Sequence, residues 1–246
     1  MKSIVCVKQV IDPEEPPSSF SVNEVTNEID LPPGVPNVVS PFDKNATEAA
    51  LQLKDQFGGE VTVLSIGTNL EPSVLRDPIA MGSDNLILVD DEAFAQSDVW
   101  STAFNLAAAA KKIGDYDLIF CGRQDSENDA GQVGSCLARI LDIPCVTVAK
   151  KIELSDGKAT IERVTEDGHE IISVALPAVI TVSNELGEPR FPTVKQTMKA
   201  RKVKPTVWNS ADLEESSDKR IDKGGRVKLV KLFKPSRDIE CEIIQG

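Results

Sequence analysis

The strongest constraint on this chain is an alternation. Through its first half, short apolar runs take turns with helix-length segments that carry their own start and stop signals. Residues 3–8, 61–66, 85–89, 118–121 and 144–148 are nearly continuous in Val, Ile, Leu, Phe and Cys. Runs this short and this uniformly apolar suit strands of a parallel sheet covered on both faces. Strand–helix alternation in turn predicts right-handed βαβ units and an open, doubly wound sheet.

The intervening segments read as helices. Ser40 is placed to cap a helix, with Pro41 at its first position and Asp43 three residues after the cap. Ala46, Ala49, Ala50, Leu53 and Phe57 form one apolar stripe, and Gly58-Gly59 ends it. A second helix opens at Pro72, and Pro78 bends or shortens it. A third begins at Ser97-Asp98, turns Val99, Ala103, Leu106, Ala110 and Ile113 inward, and stops at Gly114. A fourth begins at Asn128 or Asp129 with Val133, Leu137, Ile140 and Leu141 inward.

After Lys150 the pattern changes. Residues 152–154, 158–163, 170–175 and 178–183 read as antiparallel strands, with Asp156-Gly157 and Asp167-Gly168 as hairpin turns. Beyond Gly187 the chain turns polar and basic, and residues 227–233 carry the only further strand signal. Apolar points such as Val207, Trp208, Leu232 and Phe233 in this arm call for another surface to cover them. Removing residues 206–246 is therefore expected to leave the sheet folded and to weaken assembly. The expected fold is a doubly wound α/β domain with a mostly parallel sheet of the adenine-nucleotide-binding type, an antiparallel hairpin region and an extended C-terminal arm. Residues 1–190 form the nucleotide-binding domain, and residues 191–246 form a partner-recognition segment and arm.

Composition excludes several functions. The net charge of −12 argues against a nucleic-acid backbone binder, which draws its affinity from clustered Lys and Arg. The start, M-K-S-I-V-C-V-K-Q-V, is interrupted by Lys8 and Gln9 and does not read as a signal peptide, and no run approaches the ~20 apolar residues that span a bilayer. The cysteines at 6, 121, 136, 145 and 241 fit no metal or redox spacing; four lie in apolar patterns and read as buried free thiols. A cytoplasmic location follows as an expectation. The single histidine, His169, falls in an expected hairpin turn, so Ser-His-Asp or Cys-His catalysis has no base. Walker and G-x-G-x-x-G phosphate loops are absent.

What remains is a set of loops at the carboxyl ends of the parallel strands, where open α/β sheets bind ligands. They are Cys6-Val7-Lys8, the helix start around Ser40, Ser65-Ile66-Gly67-Thr68, and the long stretch from Cys121 to Ser135. The last carries three glycines and leads into a helix, an arrangement that offers backbone N–H groups to a phosphate.

Taken together, these segments resemble the β subunit of electron transfer flavoproteins, including the FixA-type proteins. The resemblance runs over nearly the whole chain. It rests on V-C-V-K-Q-V, S-P-F-D-K-N-A-T-E-A-A-L, V-L-R-D-P-I-A-M-G-S-D, C-G-R-Q with D-A-G-Q-V-G, L-P-A-V-I-T-V, and above all N-E-L-G-E-P-R-F-P-T-V-K-Q-T-M-K-A-R-K. It implies a heterodimer with an electron transfer flavoprotein α subunit that carries FAD, and an adenine nucleotide in this subunit. That nucleotide is AMP in simple carriers and a second FAD in electron-bifurcating members. The family's nucleotide contacts carry over to Cys6, Ser40, Pro41, Phe42, Asp43 and Ile66. They extend to the loop of Arg123, Gln124, Asp125, Ser126, Glu127, Asn128, Asp129, Ala130, Gly131, Gln132, Val133, Gly134 and Ser135. Gly-Arg-Gln at 122–124 and Gln-Val-Gly at 132–134 resemble the bifurcating members and favour FAD; AMP is the alternative. The resemblance also implies a dehydrogenase as redox partner, docking on Val194 flanked by Lys195 and Lys199. It makes the chain an electron-carrier subunit without catalytic residues of its own. A stand-alone nucleotide sensor of similar fold is the competing expectation, and the arm after Gly187 speaks against it.

Overall fold

The computed structural model describes residues 1–32, 34–214, 221–222 and 224–234. Strand β1 (Lys2–Cys6) is followed by four three-residue strands, β2 (Gln9–Ile11), β3 (Ser21–Asn23), β4 (Glu28–Asp30) and β5 (Asn37–Val39). Then come α1 (Pro41–Phe57), β6 (Glu60–Gly67), α2 (Pro72–Leu75), α3 (Asp77–Met81), β7 (Asn85–Asp90), α4 (Val99–Ile113), β8 (Leu118–Gly122) and α5 (Val133–Leu141). The second half holds β9 (Cys145–Ser155), β10 (Lys158–Thr165), β11 (Gly168–Ala175), β12 (Ala178–Val182), α6 (Val194–Ala200), β13 (Thr206–Trp208) and α7 (Ser210–Glu214).

Nine strands make one sheet in the order β11-β10-β9-β12-β8-β1-β6-β7-β13. From β9 to β13 every neighbouring pair is parallel, while β10 and β11 extend the sheet antiparallel. Two apolar layers sandwich it. One packs α1, α3 and Ala200 of α6 against Val5, Val63 and Phe120; the other packs α4, α5 and Leu213 of α7 against Ile4, Leu64 and Ile119. Successive residues of β1 thus serve opposite faces, which is why its sequence shows no polar alternation.

Local signals set the helix ends. Asp98 caps α4 by accepting from the Ser101 amide at 2.9 Å, and that bond holds its carboxyl down at a pKa of about 2. Gly58 and Gly114 end α1 and α4 at φ of 68° and 67°, conformations that cost a side-chain-bearing residue energy. Pro78 divides the second expected helix into α2 and α3.

Several expectations need correction. The runs at 144–148 and 152–154 form one strand, β9, irregular near Val148, whose φ is +58°. Strand β12 is parallel to β8 and β9, not antiparallel to its neighbours in sequence, because it returns to the centre of the sheet after the β10–β11 hairpin. Helix α5 starts at Val133, so residues 128–132 belong to the loop. Phe57 is 50% exposed and lies off the core stripe of α1. His169 sits within β11, paired with Val164, because the turn is made by the two residues before Gly168. Residues 227–233 form no strand, whereas Thr206–Trp208 adds β13 beside β7. Cutting the chain at residue 206 would therefore strip an edge strand and the buried Leu213 from the sheet. Cys6 and Cys121 are buried free thiols; Cys136 and Cys145 are free but half-buried, and Cys241 lies outside the described residues.

Candidate functional site

The carboxyl ends of β1, β6, β8 and β12 come together because these strands are parallel neighbours around the middle of the sheet. Three expected site segments converge there: Cys6, the start of α1 from Ser40 to Asp43, and the loop from Arg123 onward. Ile66, near the end of β6, pairs with Val89 and packs with the second apolar layer.

Asp43 is the fastener of this rim. Its Oδ2 accepts the Lys8 amide at 2.8 Å and its Oδ1 accepts the Gly122 amide at 2.9 Å. One carboxylate thereby ties the ends of β1 and β8 to the first turn of α1. The Ser40 amide adds a bond to the Lys8 carbonyl at 2.9 Å. Ser40 precedes the helix as expected but makes no side-chain cap; its hydroxyl is buried without a partner among the described residues. Asp43 was expected to act at the helix start, and the tertiary contacts turn it towards the two strand ends instead.

Burial raises the Asp43 pKa to about 7, and the two amide bonds only partly offset it. The folded protein therefore binds a proton that the unfolded chain releases between about pH 4 and pH 7. The Asp43 contribution to stability is largest below that window and falls as pH rises through it, by on the order of 4 kcal/mol at about 1.4 kcal/mol per pKa unit. Denaturant titrations of wild type and Asp43→Asn from pH 4.5 to 8 check this. The wild type loses ground to the variant as pH rises, and a pH-independent difference would remove Asp43 as the titrating group.

Lys8 organises the long loop. Its ammonium reaches Asp125 at 3.2 Å and Glu127 at 2.8 Å. Burial works against the Lys8 charge, but the two carboxylates outweigh it and hold the pKa above its ordinary value. Asp125 folds the loop on itself, its Oδ1 accepting the amides of Glu127 and Asn128 at 2.9 Å each. Asp129 and Gly131 adopt positive φ of 47° and 62°, and Gln124 donates to Asp129 at 3.0 Å. The acidic stretch is thus folded and its charge partly offset, and the chain is delivered to the first turn of α5, whose opening amides have no acceptor within the helix. Gly134 sits hard against the sheet: a Cβ there would come within 2.5 Å of Thr181 Cγ2.

Arg123 lies beside α1, with its guanidinium carbon 5.8 Å from the centre of the Phe42 ring. It donates from Nε to Gln124 Oε1 at 3.0 Å, and its amide donates to the Val182 carbonyl at 2.7 Å. Beneath the rim, Cys6 and Cys121 face each other across β1 and β8. A hydrogen bond to Cys6, reinforced by burial, pushes the Cys121 thiol pKa up, which leaves it an unreactive packing group.

Two contributions were missed by sequence reasoning. Lys8 was placed in a strand-end loop but not read as the cation that holds the long loop; its signal was the lone cation after V-C-V. The end of β12 was not read as part of the rim at all, because an antiparallel strand would have pointed its carboxyl end the other way. Ser183 and Glu185 belong there. The residues expected to dock a partner stand elsewhere, at and before α6: Val194 is 79% exposed, and Phe191 and Met198 are exposed with it. Lys195 and Lys199 flank them and are exposed. Arg190 holds this segment to α1, bonding Glu48 at 2.8 and 3.1 Å and Asp55 at 2.8 Å.

A cavity of about 330 Å³ opens at the opposite end of the sheet, lined by Lys2, Glu60, Lys112, Tyr116 and Trp208. It lies at the strands' amino ends, away from every loop described above. Among the described residues, no helix is long and apolar enough to cross a membrane and no acidic, His or Cys cluster is placed to hold a metal.

The sequence profile described as the electron transfer flavoprotein domain matches residues 33–213. The chain is 38% identical over 247 aligned residues to a Thermoanaerobacterium thermosaccharolyticum protein named electron transfer flavoprotein subunit beta, covering all of this chain and 93% of that one. It is 37% identical to CarD of Acetobacterium woodii, named as a subunit of the caffeyl-CoA reductase–Etf complex, covering all of this chain and 92% of that one. It is 34% identical to FixA of Azotobacter vinelandii, with 100% and 89% covered. The chain belongs to the electron transfer flavoprotein β-subunit and FixA family.

Proposed function

We propose that this chain is the β subunit of a heterodimeric electron transfer flavoprotein, and that it holds FAD at the rim formed by β1, β8, α1 and the loop into α5. The observation that carries this is the way Lys8 and Asp125 fold an acidic loop into a compact strap whose negative charge Lys8 partly offsets. That strap ends at the free amides of a helix start, the arrangement that receives a diphosphate. The residues fit the group. Gln124 and Gln132 supply side-chain amides, Gly131 supplies a positive φ, and the buried Ser40 hydroxyl has no other partner among the described residues. Cys6 and Ile66 border the adenosine.

When bound, a flavin supplies one- and two-electron transfer. The protein's part is to orient it and set its electrostatic surroundings. Asp43 keeps the strand ends fixed. Val133 offers no hydroxyl for a terminal phosphate, in keeping with a diphosphate that continues towards a flavin. Arg123 places a lasting positive charge at the rim, which favours a more negatively charged reduced form. The similarity to CarD, named for an Etf complex with a reductase, supports a role in a larger redox assembly, as does the exposed apolar face of α6. An α subunit with its own FAD, a dehydrogenase as electron donor and a cytoplasmic setting complete the reading, with electron bifurcation as its fullest form.

Denaturing the purified heterodimer and counting released nucleotide tests the FAD assignment. Two FAD per heterodimer are expected. One FAD with one AMP would make the protein a simple one-flavin carrier instead.

Docking is tested separately. Val194→Glu sets a charge at the middle of the exposed Phe191–Val194–Met198 face. Electron delivery from the dehydrogenase should slow about tenfold or more, matching the roughly 1.4 kcal/mol or more typical of a lost interface anchor. Flavin content should stay unchanged. An unaltered delivery rate would take Val194 out of the docking surface.

A further inference from the structure

The end of β12 brings a second charge to the rim. Strand β12 runs parallel to β8, so its last residues stand beside Gly122 and Arg123, and the Arg123 amide bonds the Val182 carbonyl at 2.7 Å. Directly after β12, Ser183 is fully buried and directs its hydroxyl at two neighbours, Asn184 Oδ1 at 3.0 Å and the Glu185 carboxylate. Glu185 is exposed yet held in place by a buried serine, an unusual expense for a surface carboxylate unless its position matters. Its pKa is lowered first by the Ser183 bond, against some burial, and also by the field of Arg123. The two charges feel one another without forming a direct ion pair, so Arg123 keeps its contacts to Phe42 and Gln124.

We infer that Glu185 is a positioning residue of the nucleotide rim: a fixed counter-charge that limits how strongly Arg123 favours the reduced flavin. The inference rests on the FAD site proposed above. The physical reasoning is electrostatic. A flavin gains negative charge on reduction, and a nearby cation stabilises that form. A carboxylate held near the cation subtracts from the effect, and Ser183 fixes where that carboxylate sits.

The test is a double-mutant cycle in the purified heterodimer, read as the reduction potential of each bound flavin. Glu185→Gln should raise the potential of one flavin. A threefold to tenfold change in the reduced-to-oxidised binding ratio corresponds to about 15–30 mV for a two-electron couple. Ser183→Ala should move it the same way by less, because the freed carboxylate drifts from its place. Arg123→Gln should lower the potential, and in the Arg123→Gln background Glu185→Gln should still raise it by a similar amount, since the fields of two fixed charges add. The Glu185 shift should shrink as salt is raised, since an exposed charge is screened. A purely structural role for Glu185 would move melting temperature and leave the potential alone. If Arg123→Gln shifts a flavin and Glu185→Gln does not, the counter-charge role is overturned and the site stands. If neither variant shifts either flavin, the placement of FAD beside Arg123 fails, and the inference fails with it.

Discussion

Gly122→Ala is expected to weaken nucleotide binding at the proposed site and destabilise the fold together. A Cβ at this position would lie 2.4 Å from Asp43 Oδ1 and 2.9 Å from the Phe42 carbonyl carbon. The second contact is with backbone in the first turn of α1, which cannot rotate away as a side-chain tip can. Relief requires the helix start to retreat from β8, and that breaks the Asp43 bond to the Gly122 amide. Overpacking of this kind costs about 1–3 kcal/mol, and an unpaired carboxylate oxygen in a buried setting adds about 1–3 kcal/mol more. Nucleotide affinity should fall by about a hundredfold or more, the equivalent of roughly 3 kcal/mol. Denaturant unfolding and titration of the released nucleotide back onto the apoprotein check both halves. Unchanged values for both would mean that Asp43 does not couple the helix to the strand ends.

Lys8→Met carries the second large effect, and it acts through charge instead of shape. The ammonium is the shared partner of Asp125 and Glu127. Its removal leaves these two carboxylates without a cation in the loop proposed to receive phosphates. Each such like-charge pair costs about 2 kcal/mol at a separation of about 8 Å and an effective dielectric of about 20, before screening by salt. Nucleotide binding should weaken by about thirtyfold to a hundredfold at low salt, and by less at high salt. Neutralising the loop in the same chain, with Asp125→Asn and Glu127→Gln, should recover much of the loss. If Lys8→Met binds nucleotide as tightly as wild type at low ionic strength, the phosphates do not lie over this loop.

These expectations depend on a division of labour between local and distant signals. Helix α4 was legible in both its bounds because Asp98 and Gly114 act on amides and carbonyls within a turn of themselves. The same holds for the stop at Gly58 and the break at Pro78. Strands β1, β6, β7 and β8 were legible as parallel strands because burial on both faces leaves no room for polar alternation. The family strings pointed to Cys6, Ser40–Asp43 and the loop from Arg123, and the fold brings these segments to one rim.

Strand direction was not legible in the same way. The run from Ala178 to Val182 is as apolar as any, and apolarity does not say which neighbour a strand joins or which way it points. Only the return of the chain between β8 and β9 decides that β12 is parallel, and with it that Ser183 and Glu185 face the rim. Likewise, Thr206–Trp208 is three residues in a basic stretch, too short for any periodicity, and becomes a strand because β7 offers an open edge. Asp43 sits at a position where an acidic side chain ordinarily serves its own helix. It serves β1 and β8 because their amides converge on it from 35 and 79 residues away. Sequence alone determined the elements, their caps and the family, since those depend on neighbours along the chain. The tertiary structure alone decided strand order, the Asp43 fastener and the approach of the β12 end to Arg123, since each needs partners that only the closed sheet brings within reach.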